Sequence, residues 1–268
     1  MGTLSRGWRM AKASFKVLRS DKEIMLLPVA SAGVCILVLL TILGIPVGFG
    51  LLSFQDAWPI IILFYFVSSF VVVFFNTAVV ACAKIRFEGG DPTVRQGLSV
   101  AWSRVGRIIE WSIVAATVGI VLRSVRRKGG LVGTIISYLG GLAWAVATYF
   151  VLPVIIYEDL GPFAAVKRSI QIIRKTWGEG VTAYISTHVI FFLLGLVGLP
   201  FLLLGIWSLG FSAALGIFLI ALAMAYFVLL AVAGTAVDGI LTAALYKFSV
   251  DGKVPGEFEG ARIEGVIY

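Results

Sequence analysis

Long apolar runs set the first limit on what this chain can fold into. Stretches at about 24 to 52, 58 to 83, 131 to 157, 180 to 206 and 211 to 246 each exceed the roughly 20 residues a helix needs to cross about 30 Å of hydrocarbon. A sixth run, at about 108 to 122, is shorter. None alternates polar and apolar residues as barrel strands do. With 60% hydrophobic residues and a mean hydropathy of +1.02, the chain also lies outside the composition of soluble domains. The expected fold class is all-α, a polytopic membrane protein with six transmembrane helices.

Between the runs lie amphipathic stretches. Leu4, Trp8, Ala11, Phe15 and Leu18 are spaced to fall on one helical stripe, while Arg6, Arg9, Lys12, Lys16 and Arg19 fall opposite. Such a helix rests in the membrane interface with its basic side chains among headgroups. Alternatively it packs on the protein's own cytoplasmic surface, and the two arrangements are compatible. The same spacing returns at Val94, Leu98, Ala101, Val105 and Ile108, and again at Val166, Ile170, Ile173 and Trp177. In the third copy Lys167, Arg168, Arg174 and Lys175 carry the charge. Aligning the copies brings Gly7, Gly97 and Ser169, all small, to one position.

Each amphipathic stretch leads into an outward run and a returning one, so the plan is three hairpins, each preceded by a cytoplasmic amphipathic helix. "KIRFEGGDP" and "IIYEDLGP" punctuate the first two units, with a proline placed to restart a helix at no hydrogen-bond cost. One membrane domain spanning 1–268 is expected, built from repeat units 1–90, 91–160 and 161–268. The first apolar run is too long for a signal-peptide core. The last one, at 36 residues, is longer than a span needs, so a bend or exit near Gly234 and Gly239 is expected.

Orientation follows from the basic residues beside the spans. With both termini cytoplasmic, 18 of the 22 Lys and Arg fall inside. The other four, Arg123, Arg126, Arg127 and Lys128, form an external cluster in "LRSVRRKGG". That cluster reads either as an ordinary basic turn or as an external anion or headgroup site.

Ionisable and amide groups within spans are functional candidates because they are costly there. Asn76, His188 and Asp238 fall in one layer, and His188 and Asp238 share a hairpin in which they can touch. The opposing reading is a helix-packing hydrogen bond worth about 1 kcal/mol. Glu110, beside Trp111, sits at interface depth. Cys35 and Cys82 lie at different depths, roughly 16 Å and 3 Å from the inner ends of their spans, and read as small core residues rather than a disulfide. Gly44 with Gly48, and Gly129 with Gly133, have the GxxxG spacing that lets helices approach closely.

No phosphate-binding loop, nucleophile elbow or dinucleotide fingerprint occurs, and one histidine with two cysteines does not make an ordinary zinc site. No enzymatic activity and no cofactor are expected. The net charge of +8 is spread along span ends and amphipathic faces, which points to anionic lipid headgroups rather than nucleic acid.

"SRGWRMAKASFKVLRSDKEIMLLPV", "VLPVIIYEDLGPFAAVKRSIQIIRKTWGEG" and "ALYKFSVDGKVPGEF" resemble an uncharacterised family of prokaryotic, often archaeal, multi-pass membrane proteins, a domain of unknown function. The resemblance covers nearly the whole chain and implies a membrane location without transferring an activity or site residues. Two functions are in view. The first is a self-associating scaffold or partner-binding protein of the plasma membrane, gripping the cytoplasmic leaflet as a homo-oligomer. The second is a small transporter or channel built on the layer around His188 and Asp238, for which internal repeats are a supporting sign.

Overall fold

The computed structural model describes residues 3–50, 58–175, 177–252, 255, 256 and 258. The side chains of residues 3–8, 11, 175 and 177–186 lie outside that description. This affects Arg6 and Lys175 of the basic sets and the stripe residues Leu4, Trp8, Ala11 and Trp177. All elements among the described residues are helices. They are α1 (Thr3–Ser20), α2 (Lys22–Leu39), a π-helical turn (Leu40–Gly44), α3 (Ile45–Gly48), α4 (Trp58–Phe87), α5 (Val94–Ser103), α6 (Val105–Lys128), α7 (Gly130–Ala147), α8 (Val151–Glu158), α9 (Pro162–Lys175), α10 (Trp177–Ser208) and α11 (Ala213–Asp251). Among the described residues, six stretches are long and apolar enough to cross a membrane: Lys22–Gly48, Trp58–Phe87, Val105–Lys128, Gly130–Glu158, Thr187–Ser208 and Ala213–Asp251.

Local chemistry explains the boundaries. Thr93 and Gln96 form a reciprocal capping box at the start of α5. The Ser212 hydroxyl accepts from the Leu215 N–H to cap α11, and Gly252, at φ 67°, ends that helix. Pro153 has no N–H to return to the Tyr149 carbonyl, so α7 and α8 are separated by a turn at 148–150. The freed Phe150 N–H donates instead to Ser169 Oγ of α9 at 3.1 Å.

One expectation is corrected. The outward run beginning near Ile108 does not stop at residue 122, because α6 continues through the basic cluster to Lys128. Arg123, Arg126, Arg127 and Lys128 are therefore helical, and three of them complement the helix dipole in the last turn. α11 runs through Gly234 and Gly239 as one helix of 39 residues, about 58 Å long. Gly239 serves close packing: a Cβ there would lie 2.6 Å from Val79 Cγ1 of α4.

Burial is concentrated toward one end. The fully buried side chains include Val79 and Val80 of α4, Phe150, Ile155 of α8, and Ile240, Leu241 and Leu245 of α11. These parts of α4, α8 and α11 pack on one another, and the short helices pack around them: α5 against α4, α9 against α8, and α1 against α11 and α10. At the other end, Phe49, Trp58, Leu131 and Trp207 are each at least 66% exposed. There the contacts run mainly between α2 and α4, α6 and α7, α10 and α11, and α4 and α6.

The short helices bury similar faces. Met10, Ser14, Val17 and Leu18 of α1 have the same spacing as Ala165, Ser169, Ile172 and Ile173 of α9, and Gly97 and Ala101 fill the corresponding face of α5. In α1 the buried small residue is Ser14, two turns after Gly7. Phe15, from the expected apolar stripe, is 42% exposed and stacks on Phe191 of α10. α5 also runs alongside α4 rather than across its end. Gly97 sits against Ala78 and Cys82, and Trp102 against Phe74. Farther along, Ser112 and Gly119 of α6 meet Ser69 and Tyr65.

Candidate functional site

Two cavities meet at Asp238. One, of about 360 Å³, lies among α4, α6, α7, α8 and α11 and is lined by Asn76, Trp111, Thr148, Tyr149, Thr235, Asp238 and Thr242. The other, of about 420 Å³, lies between α10 and α11 and is more apolar, with Phe191, Phe227 and Leu230 beside Thr187, His188, Thr235 and Asp238. Thr235 and Asp238 line both. Along their helices, Asn76, His188 and Asp238 lie about 16 to 20 Å from the ends nearest the buried core.

The structure thus brings Asp238 together with Asn76 on one side and with His188 on the other. His188 is exposed on α10 and is close enough to interact electrostatically with Asp238. Asp238 Oδ1 is buried and accepts no hydrogen bond. By contrast, the threonines of the first cavity are all engaged as donors to their own helices. Thr148 Oγ1 donates to the Trp144 carbonyl at 2.8 Å, Thr235 to Ala231 at 2.9 Å and Thr242 to Asp238 at 2.7 Å. Each oxygen keeps its lone pairs for whatever occupies the cavity. Trp111 stacks on Trp144, their ring centroids 5.8 Å apart, which holds the indole at the cavity wall.

A second polar constellation ties the core end together. Arg168 Nε lies 2.8 and 3.0 Å from the Glu158 carboxylate oxygens, and the Tyr246 hydroxyl donates to the same carboxylate at 2.6 Å. Lys247 Nζ donates to the Phe87 carbonyl at 2.8 Å, and Lys84 Nζ lies 4.6 Å above the Tyr157 ring. Glu23 accepts from the Val94 N–H at 2.8 Å, at the N-terminus of α5. Arg86 pairs with the nearly buried Asp21 at 3.4 Å, and Arg104 with Asp159 at 2.6 Å. Asp159 has a left-handed backbone, φ 54°, at the end of α8.

Among the remaining candidate residues, Lys12, Lys16, Arg19, Lys167 and Arg174 are exposed, whereas Arg9 and Arg168 are half-buried. Arg123 lies over the Tyr65 ring at 4.6 Å, while Arg126, Arg127 and Lys128 are exposed. Glu110 accepts from Arg107 at 3.3 Å. Cys35 and Cys82 are free thiols. Gly133 approaches Val125 closely at the α6–α7 turn, whereas a Cβ added at Gly48 would meet nothing within 4 Å.

Sequence reasoning missed the threonines and aromatics that complete the first cavity. A signal was present, since Thr235, Asp238 and Thr242 follow 3, 4 spacing and so share a helix face. Trp111 and Tyr149 gave no such sign, because the break at Pro153 and the packing of α6 decide where they point. Glu158 was visible only as turn punctuation.

Residues 56–256 match a protein family of unknown function (DUF6159), and the chain belongs to that family. No curated protein matches it.

Proposed function

We propose that this member of the family is an integral protein of the cell membrane, without catalytic chemistry of its own, that acts as a self-associating scaffold or partner-binding protein. Its six spans form three hairpins with both termini in the cytoplasm. α1, α5 and α9 start the three units, and the exposed cations of α1 and α9 meet anionic headgroups of the inner leaflet.

The observation that carries this reading is the uneven burial. Apolar side chains such as Leu131 and Trp207 are exposed at one end, as suits lipid, whereas the other end has a tightly packed core and a network of ion pairs. A packed end of this kind offers a rigid platform on the side where eighteen of the basic residues fall.

Site-directed labelling tests the topology. In a chain with Cys35 and Cys82 replaced by alanine, Lys128→Cys should react with an impermeant maleimide on intact cells. Lys16→Cys and Asp251→Cys should react only after permeabilisation. The opposite pattern overturns the orientation, and a monomer by mass measurement in lipid nanodiscs overturns self-association.

A second reading, a small transporter or channel, is favoured by the two cavities that meet at Asp238. Its test is solute flux in proteoliposomes, compared between the native chain and Asp238→Asn.

A further inference from the structure

Several hydrogen-bond acceptors line the first cavity, beside the donor groups of Asn76, Trp111 and Tyr149. Its three threonine hydroxyls already donate to helix carbonyls, so they face an occupant as acceptors. Among the described lining residues, Asp238 alone bears a full charge when ionised, and its Oδ1 is buried without a hydrogen-bond partner. A buried carboxylate left in this state is unfavourable unless a donor or cation reaches it. No described Lys or Arg lines the cavity, and His188, which interacts electrostatically with Asp238, lies in the neighbouring cavity between α10 and α11. Trp111 and Tyr149 line the same cavity, and aromatic faces attract cations.

From this set we propose that the cavity among α4, α6, α7, α8 and α11 binds a small organic ammonium ion, its N–H groups directed at Asp238 and the threonine oxygens and its apolar part against Trp111 and Tyr149. A volume of about 360 Å³ admits an aryl-ethyl or short alkyl body. A neutral molecule of the same shape brings no charge to Asp238 Oδ1, so discrimination rests on charge. Asn76, on the wall contributed by α4, is placed to accept a further N–H through its amide oxygen.

The inference refines the transport reading but requires only binding. Failure of ammonium binding leaves transport of another solute open, and absence of flux leaves the binding site standing.

The test is calorimetric titration of the full-length protein in lipid nanodiscs with 2-phenylethylammonium chloride, and with 2-phenylethanol as the neutral isostere. Binding of the ammonium and at least about tenfold weaker binding of the alcohol are expected. Asp238→Asn should weaken the ammonium by at least about tenfold and leave the alcohol unchanged. Partition into the lipid is common to all variants and cancels in the comparison. Asn76→Asp, which adds a second carboxylate, should tighten the ammonium about threefold or more. This gain of affinity does not depend on how well Asp238→Asn folds. Equal binding of ammonium and alcohol, an unchanged affinity in Asp238→Asn, no gain in Asn76→Asp, or no ammonium binding to the native chain at millimolar concentration each overturns the proposal.

Discussion

Arg168 Nε of α9 sits 2.8 Å from Glu158 Oε1 at the end of α8, and that same oxygen accepts the Tyr246 hydroxyl of α11 at 2.6 Å. One carboxylate therefore joins three helices. The arginine and glutamate side chains are 31% and 25% exposed, so solvent screens the pair only in part.

Removing the carboxylate strands both a cation and a hydroxyl. Glu158→Ala should lower stability by about 1–3 kcal/mol, measured by thermal or denaturant unfolding in detergent. A double-mutant cycle with Arg168→Ala should give a coupling near the low end of that range, about 0.5–1 kcal/mol. Additive effects would show that the ion pair contributes nothing beyond its separate members.

The turn at 148–150 gives a second measurable contact. The Phe150 N–H cannot bond within the helix and donates to Ser169 Oγ, in a place where both residues are fully buried. Ser169→Ala leaves that N–H without an acceptor and should destabilise by about 1–3 kcal/mol. Pro153→Ala should change stability less, because α9 still holds the turn. If Ser169→Ala unfolds like the native chain, the turn is held by packing alone.

Helical membrane architecture was legible because hydropathy reports it directly over windows of this length. The grouping of Asn76, His188 and Asp238 around two adjoining cavities was legible in part, since all three are polar residues in apolar runs. Span ends were not. Arg123 to Lys128 read as a loop by charge, yet arginine and lysine are good helix formers and continue α6. The packing role of Gly239 was not legible either, since hydropathy does not report that a Cβ there would strike Val79. The apolar stripe of α1 was visible, but its buried face is set by α10 and α11, so Ser14 is buried while Phe15 lies partly open. Periodicity reports that a helix has sides and leaves open which side the protein takes.

The exposed cations of α1 give a lipid prediction. Lys12, Lys16 and Arg19 lie away from the buried Met10, Ser14 and Val17, and each is worth about 1 kcal/mol near an anionic surface. Adding phosphatidylglycerol to the detergent-solubilised protein should raise its unfolding temperature more than adding phosphatidylcholine. The triple variant Lys12→Gln, Lys16→Gln, Arg19→Gln should lose most of that difference, and the remainder should fall with salt. An undiminished preference in the triple variant would assign headgroup binding to another surface.

Asp238 supplies the last prediction, in which stability and function pull apart. A buried carboxylate oxygen without a hydrogen-bond partner is unfavourable even with His188 close enough to interact electrostatically, while the threonines around it already donate elsewhere. Asp238→Asn keeps the shape, removes the charge and brings an N–H₂ group to face the threonine oxygens. The variant should therefore match or exceed native stability by about 1 kcal/mol, read by unfolding in detergent without added ligand. An ammonium ligand should stabilise the native chain and leave the variant unmoved, because only ionised Asp238 gains from the cation. A variant less stable than the native chain would mean that the carboxylate is satisfied within the fold, and that its role is to hold helices together.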